Sequence, residues 1–249
     1  MSKVVFDFTG ENFVVTGASS GMGRDVAISL GKAGAKVLAI GRNVERLQLT
    51  KAECAENIFT VSVDVCNTEA MENAIKDFVN EHGKLNGCVH AAGVNTFTPL
   101  KSYDNSEAER IMSVSFWAGI ELVRLVTKLK YGHKGSSSVL YSSVCAKSHE
   151  KGMFAYAASK AAINSAVGSI AKEICNKGHR INSILPGWVE SSNMTESFDG
   201  LIDQDNLKKN HLLNLAKPSD VTGMVLFLLS DRARWITGTN IAVDGGFLA

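Results

Sequence analysis

A chain of 249 residues with 45% apolar and 20% charged residues has ordinary globular composition, which excludes wholesale disorder. Its net charge of +1 supplies no basic field to recruit nucleic acid or an anionic membrane. The five cysteines, Cys54, Cys66, Cys88, Cys145 and Cys175, are odd in number and lack C-x-x-C spacing, which argues against a disulfide framework and for a reducing compartment.

Short β-rich runs alternate with helical stretches from one end to the other. Asn12–Thr16 reads as a strand and Gly21–Ala33 as a helix; Lys36–Ile40 and Val44–Glu53 repeat the pair, as do Ile58–Val63 and Glu69–Glu81. Asn86–His90 is a strand, followed by a long helical region from about Glu107 to Lys130. Ser137–Tyr141 precedes the helix Phe154–Asn176, and the strand Arg180–Leu185, the helix Ser219–Leu229 and the strand Asn240–Val243 close the chain. Runs such as Lys36–Ile40 have no polar face, as expected of strands covered on both sides. This order predicts one α/β domain over 1–249, a Rossmann-type doubly wound, mostly parallel seven-stranded sheet with helices on both faces. The polar stretch 190–210 is long for a connection and is expected to be a substrate lid.

Met1–Phe13 carries Asp7 and Glu11 without an apolar core, so no signal peptide is expected. The apolar run Met224–Leu229 is too short to span a bilayer, and a cytoplasmic protein without membrane contact is expected.

The first strand ends in a glycine-rich turn, Gly17-Ala18-Ser19-Ser20-Gly21-Met22-Gly23, that opens a helix. Such a turn aims backbone amides and the positive helix end at a pyrophosphate, and the plainer alternative is a tight turn without ligand. No Gly-Lys-Ser/Thr follows, so a P-loop is excluded. Gly17 to Gly21 also fits a G-x-S-x-G elbow with Ser19 as a hydrolase nucleophile, yet little chain lies upstream to supply its oxyanion hole. At the end of the second strand Gly41 stands where an acid would accept from ribose hydroxyls, and Arg42-Asn43 follows. An arginine there pairs with a 2′-phosphate, so NADP is favoured over NAD.

Tyr156 and Lys160 stand at i, i+4 on one helix face. A tyrosine is a sluggish acid at neutral pH, and a neighbouring ammonium favours its phenolate. Ser143, at the end of the fifth strand, can hold a carbonyl oxygen beside the phenol. The six histidines show no H-x-H or H-E-x-x-H spacing, so no metal is expected. Lys128, Lys130, His133 and Lys134 are read as favourable charge near a helix C-terminus.

Together these residues resemble the classical short-chain dehydrogenase/reductase family over essentially the whole chain. Thr16–Gly23 is similar to the family's T-G-x-x-x-G-x-G turn, Asp64-Val65 to the pair that meets adenine, and Ser143, Tyr156 and Lys160 to its catalytic serine, tyrosine and lysine. Asn182–Trp188 resembles N-x-x-x-P-G, and Ile236–Gly246 the closing strand. The resemblance implies cofactor contacts from Ala91, Ala92, Gly93, Pro186, Gly187, Val189 and Ser191, beside those of the glycine turn, Arg42 and Asn43. It implies a substrate cleft lined by Val94, Asn95, Cys145, Met153 and Trp188, with His149 either touching substrate or solvated. It also implies hydride transfer between NADP(H) and a small-molecule carbonyl or secondary alcohol, β-ketoacyl-reductase-like. For the alanine-rich helix from Phe154, close helix packing is the plainer reading, and the resemblance implies a subunit interface there, in a homodimer or homotetramer.

Two positions depart from the family. His90-Ala91-Ala92-Gly93 replaces N-N-A-G, removing the asparagine that supports the central sheet. Ser115 replaces the asparagine of a distorted helix whose backbone carbonyl holds a relay water, and a bulged helix is expected there because a serine hydroxyl can bond one turn back. These departures leave open a cofactor-binding protein with decayed catalysis.

Overall fold

The apolar strands owe their lack of a polar face to two helical layers. In the computed structural model, which describes residues 4–190 and 210–249, alternate residues of each strand enter opposite cores. Val14, Leu38 and Ile40 pack with Met71, Ile75, Leu122, Ile163 and Val167. Their neighbours Phe13, Val15, Val37 and Ala39 pack with Val26, Leu30, Val221 and Val225.

The elements run β1 Asn12–Thr16, α1 Gly21–Lys32, β2 Lys36–Gly41, α2 Val44–Ala52, β3 Ile58–Ser62, α3 Thr68–His82 and β4 Leu85–His90. Then come α4 Asn105–Met112, a π-helix Ser113–Trp117, α5 Ala118–Val126, β5 Gly132–Tyr141, α6 Cys145–Ser148 and α7 Phe154–Ile174. The strand β6 Arg180–Pro186, the helix α8 Pro218–Leu229 and the strand β7 Asn240–Val243 complete the order among the described residues. The seven strands lie in the order β3-β2-β1-β4-β5-β6-β7, and every ladder is parallel. Strand order reverses between β1 and β4, which opens a crevice beyond their carboxyl ends, where ligands of such sheets bind.

Three features differ from the expected pattern. The region from Glu107 to Lys130 is broken by the π-helix and ends at Val126. Lys128 and Lys130 therefore lie past the helix, and they turn to Glu72 of α3 at 3.5 and 2.9 Å, rather than to helix carbonyls. Arg124 and the Tyr131 hydroxyl converge on the same carboxylate, and hydrogen bonds from Lys130 and Tyr131 hold it down at about 2. β5 begins at Gly132 rather than Ser137, because Gly132 pairs with Leu85 across a register shift. The short helix α6 and a 3₁₀ turn at Leu100–Ser102 are too brief to leave a helical period in the sequence.

The expected lid, apart from its ends Glu190 and Asn210, lies outside the described residues. Among those described, no helix is long and apolar enough to cross a membrane, and no three His, Cys, Asp or Glu side chains gather as metal ligands.

Candidate active site

The glycine turn packs directly on the loop after β4. Gly17 has φ +71°, and a Cβ there would stand 2.7 Å from the Ala92 nitrogen, so only glycine lets the two backbones meet. Gly17, Ser19, Ser20, Gly21, Met22 and Gly23 line one cleft with Arg42, Asp64, Val65, Ala91, Ala92, Gly93, Val94, Tyr156 and Lys160. No acidic residue stands in the first turn of α1 to repel a phosphate. Arg42 lies 4.0 Å from Asp64, both largely exposed. The Asn43 side chain caps α2 by accepting from the Arg46 amide at 2.7 Å.

Tyr156 and Lys160 rise from the first turns of α7 and are both nearly fully buried. The Lys160 ammonium donates to the Tyr141 carbonyl at 2.8 Å and stands 5.5 Å from the Tyr156 ring centre. The Ser142 hydroxyl donates to the Lys160 carbonyl at 2.9 Å, fastening α7 to the end of β5. Ser143 Oγ accepts from the Cys145 amide at 3.2 Å, which leaves its own proton to point elsewhere. Burial pushes the Tyr156 phenol above its ordinary value, the Cys145 thiol adds to this, and the Ser143 hydroxyl opposes it. Burial thus outweighs the lowering expected from Lys160, whose own ammonium is brought down to about 8 by the same desolvation.

On the substrate side Tyr156 packs with Ile111, Met153 and Ala155, and Val94, Cys145 and Trp188 lie against that cluster. The Asn95 side-chain oxygen is buried without a hydrogen-bond partner. His149 is exposed, at a left-handed φ of 58°. Pro186 ends β6, the Gly187 amide bonds to Val243, and Val189 bridges to Ala216. Ser191 lies outside the described residues. Sequence reasoning missed Tyr141, Ser142, Val114 and Val63 in the cleft, and His211, whose Nε2 accepts the Trp188 amide at 3.0 Å. The serine pair Ser142-Ser143 was a usable signal for the first two; His211 left none.

His90 supplies the support that its departure from asparagine was expected to remove. Its Nδ1 meets the Thr16 hydroxyl at 2.9 Å and its Nε2 the Val114 carbonyl at 3.0 Å, joining β4, β1 and the π-helix. That π-helix, Ser113–Trp117, lies where the bulge at Ser115 is expected. The cause expected for it is not found: the Ser115 hydroxyl is fully buried and has no hydrogen-bond partner, so it does not bond one turn back.

Burial, helped by the Lys160 charge, holds the His90 imidazole down at about 3. An unfolded imidazole takes its proton near 6.5, so the unfolded chain binds more protons between these values, and stability falls as pH drops through that window. One such group contributes a slope of up to about 1.4 kcal/mol per pH unit. Glu72 and Glu107, both held at about 2, add their losses only below the ordinary carboxylate range. Thermal unfolding between pH 6.5 and 4.5 is therefore expected to show a falling Tm in the wild type and a flatter limb in His90→Gln. Equal slopes in the two proteins would exclude His90 as the source.

The comparisons with known proteins agree with this architecture. The family described as enoyl-(acyl carrier protein) reductase matches residues 17–248. The L-xylulose reductase of Caenorhabditis elegans is 32% identical over 248 residues, covering 97% of each chain. A 3-oxoacyl-(acyl-carrier-protein) reductase of Rickettsia conorii is 29% identical and covers 98% of this chain and 99% of its own. Among solved structures, a short-chain dehydrogenase/reductase from Brucella melitensis superposes with a TM-score of 0.91 at 26% identity, covering 98% and 99% of the two chains. Carveol dehydrogenase from Mycobacterium avium, in complex with NAD, gives 0.89 at 26% identity, covering 96% and 98%. With the reversed parallel sheet, the glycine turn and a match over almost the whole length, the chain belongs to the classical short-chain dehydrogenase/reductase family of nicotinamide-dependent oxidoreductases.

Proposed function

We propose that the protein is an NADP(H)-dependent carbonyl reductase that converts a small-molecule ketone to a secondary alcohol. The observation that carries this reading is the buried pair Tyr156 and Lys160 in the cleft that the glycine turn opens. The cleft's own residues fit a dinucleotide: Gly17 lets the glycine turn seat against the Ala91-Ala92 backbone, and Arg42 offers a guanidinium fork at the rim. A nicotinamide held there would supply the hydride for the reduction.

Tyr156 gives its phenolic proton to the carbonyl oxygen. Because burial keeps the phenol protonated at neutral pH, the acid is loaded for reduction. Ser143, whose oxygen already accepts from Cys145, turns its proton toward the same oxygen and orients it. Lys160, pinned by the Tyr141 carbonyl, keeps a positive charge below pH 8 and offsets the phenolate left behind. Val94, Cys145, Met153 and Trp188 surround Tyr156 with an apolar wall. The hydrolase alternative for Ser19 lacks a histidine base, since among the described residues no histidine lines the cleft. The reading extends to a homo-oligomer through α7, whose Phe154, Ala158 and Ala161 are exposed.

The test is turnover of a ketone panel followed by NADPH absorbance, with tryptophan quenching to report binding. The substrates that name two relatives, a ketose and a 3-oxoacyl thioester, come first. Reduction of at least one ketone, faster with NADPH than with NADH, is expected. NADPH binding with no turnover across the panel would favour decayed catalysis.

A further inference from the structure

The two departures from the family pattern, His90 and Ser115, meet in space. The Ala118 amide reaches back to the Ser113 carbonyl, as a π-turn requires, so the Val114 carbonyl lacks its usual donor from four residues on. The imidazole fills that role. A carbonyl can only accept, so His90 Nε2 must carry the hydrogen; Nδ1 is then a lone pair and takes the Thr16 hydroxyl proton. Thr16 Oγ1 in turn lies 3.4 Å from the Ala92 amide, which donates to it. Every donor in this chain faces an acceptor, and a single tautomer satisfies it.

Gly119, at the start of α5, makes room for the ring. A Cβ there would stand 2.7 Å from His90 Cδ2 and 3.1 Å from Cγ. In the middle of the π-turn, one residue past Val114, the unpartnered Ser115 hydroxyl and the Lys160 ammonium border one gap beside Gly93, 3.7 and 3.5 Å from where its Cβ would be. We infer that His90 is a positioning residue: its imidazole struts the π-turn against Thr16 and so sets Ser115 beside Lys160, and His90, Gly119 and Ser115 form one coupled replacement of the family's two asparagines. This inference rests on the reductase reading of the same cleft.

Two amides divide the imidazole between them. Gln carries its amide nitrogen at about the Nε2 position and keeps the bond to Val114; Asn carries its oxygen at about the Nδ1 position and keeps only Thr16. We expect His90→Gln to hold kcat within about threefold of wild type and His90→Asn to lose about tenfold, with the Kd for NADPH within about twofold in both. Gly119→Ala is expected to lose about as much as His90→Asn, and the double variant no more than either, because they break the same contact. A purely structural role would lower Tm in all and leave kcat of the folded protein unchanged. Wild-type kcat in His90→Asn or Gly119→Ala, or a loss in His90→Gln as deep as in His90→Asn, would overturn the proposal. Should His90→Asn fail to fold, Gly119→Ala and His90→Gln carry the same decision. Nitrogen-15 NMR of the wild type reads the strut without turnover: Nε2–H with a lone pair on Nδ1 is expected, and the opposite tautomer would overturn the proposal. A wild type that reduces no ketone, yet shows the expected tautomer, overturns the reductase reading and leaves the strut standing.

Discussion

Tyr156→Phe is expected to cut ketone reduction by roughly 10²–10⁴ in kcat while NADPH binding is retained. The ring is nearly fully buried against Ile111, Met153 and Ala155, and phenylalanine refills that volume, so no cavity opens. What disappears is the proton that burial keeps on the phenol. Lys160 is a poor replacement, because its ammonium donates to the Tyr141 carbonyl at 2.8 Å and stands 5.5 Å from the Tyr156 ring centre. Steady-state kinetics beside a fluorescence titration with NADPH separate the two effects. A variant retaining more than about a tenth of wild-type kcat would remove Tyr156 from its role as acid.

Replacing Arg42 by alanine is expected to lower the ratio of kcat/KM for NADPH to that for NADH by roughly 10- to 100-fold. A charge-assisted hydrogen bond to a phosphate contributes about 1.5–3 kcal/mol, whereas NADH offers only a hydroxyl at that position. The existing pair with Asp64 is long, at 4.0 Å, and well exposed, so it holds the guanidinium only weakly. An acid at position 41, the alternative that would accept from ribose, is disfavoured because a Cβ there would stand 3.2 Å from Ser19. Kinetics of wild type and variant with both cofactors decide the matter. A wild type that prefers NADH, or a ratio that the substitution leaves unchanged, would withdraw the assignment of Arg42.

The parts of this molecule legible in its sequence are those written in local order. A strand that runs into a glycine turn and a helix, and a tyrosine and lysine one helical turn apart, need no knowledge of distant residues, and they place the cleft. Periodicity did not reveal that the helix after β4 breaks at Ser113, because a π-turn shifts the pattern by a single residue; the departure at Ser115 was the signal that did. Contacts across long stretches of chain were not legible. His90 finds Thr16 and Val114, and Glu72 gathers Lys128, Lys130 and Tyr131, only once the sheet has brought them together. A capping role for Asn43 and a cofactor role look alike in one dimension, since both use an asparagine at a helix start.

The reversal of strand order also divides the sheet into two leaves. Within the sheet, β3-β2-β1 and β4-β5-β6-β7 are joined by one ladder, from Phe13 with Gly87 to Thr16 with His90, and α1 packs on α8 across it. The glycine turn and Arg42 belong to the first leaf, and Gly93, Tyr156 and Lys160 to the second. A dinucleotide that touches both therefore acts as a clasp across the seam. By mass action a ligand at one hundred times its Kd adds about 2.7 kcal/mol to the native state, a large share of what typically separates a folded domain from its unfolded chain. The cellular supply of cofactor would then regulate how long the protein survives proteolysis as well as how fast it works.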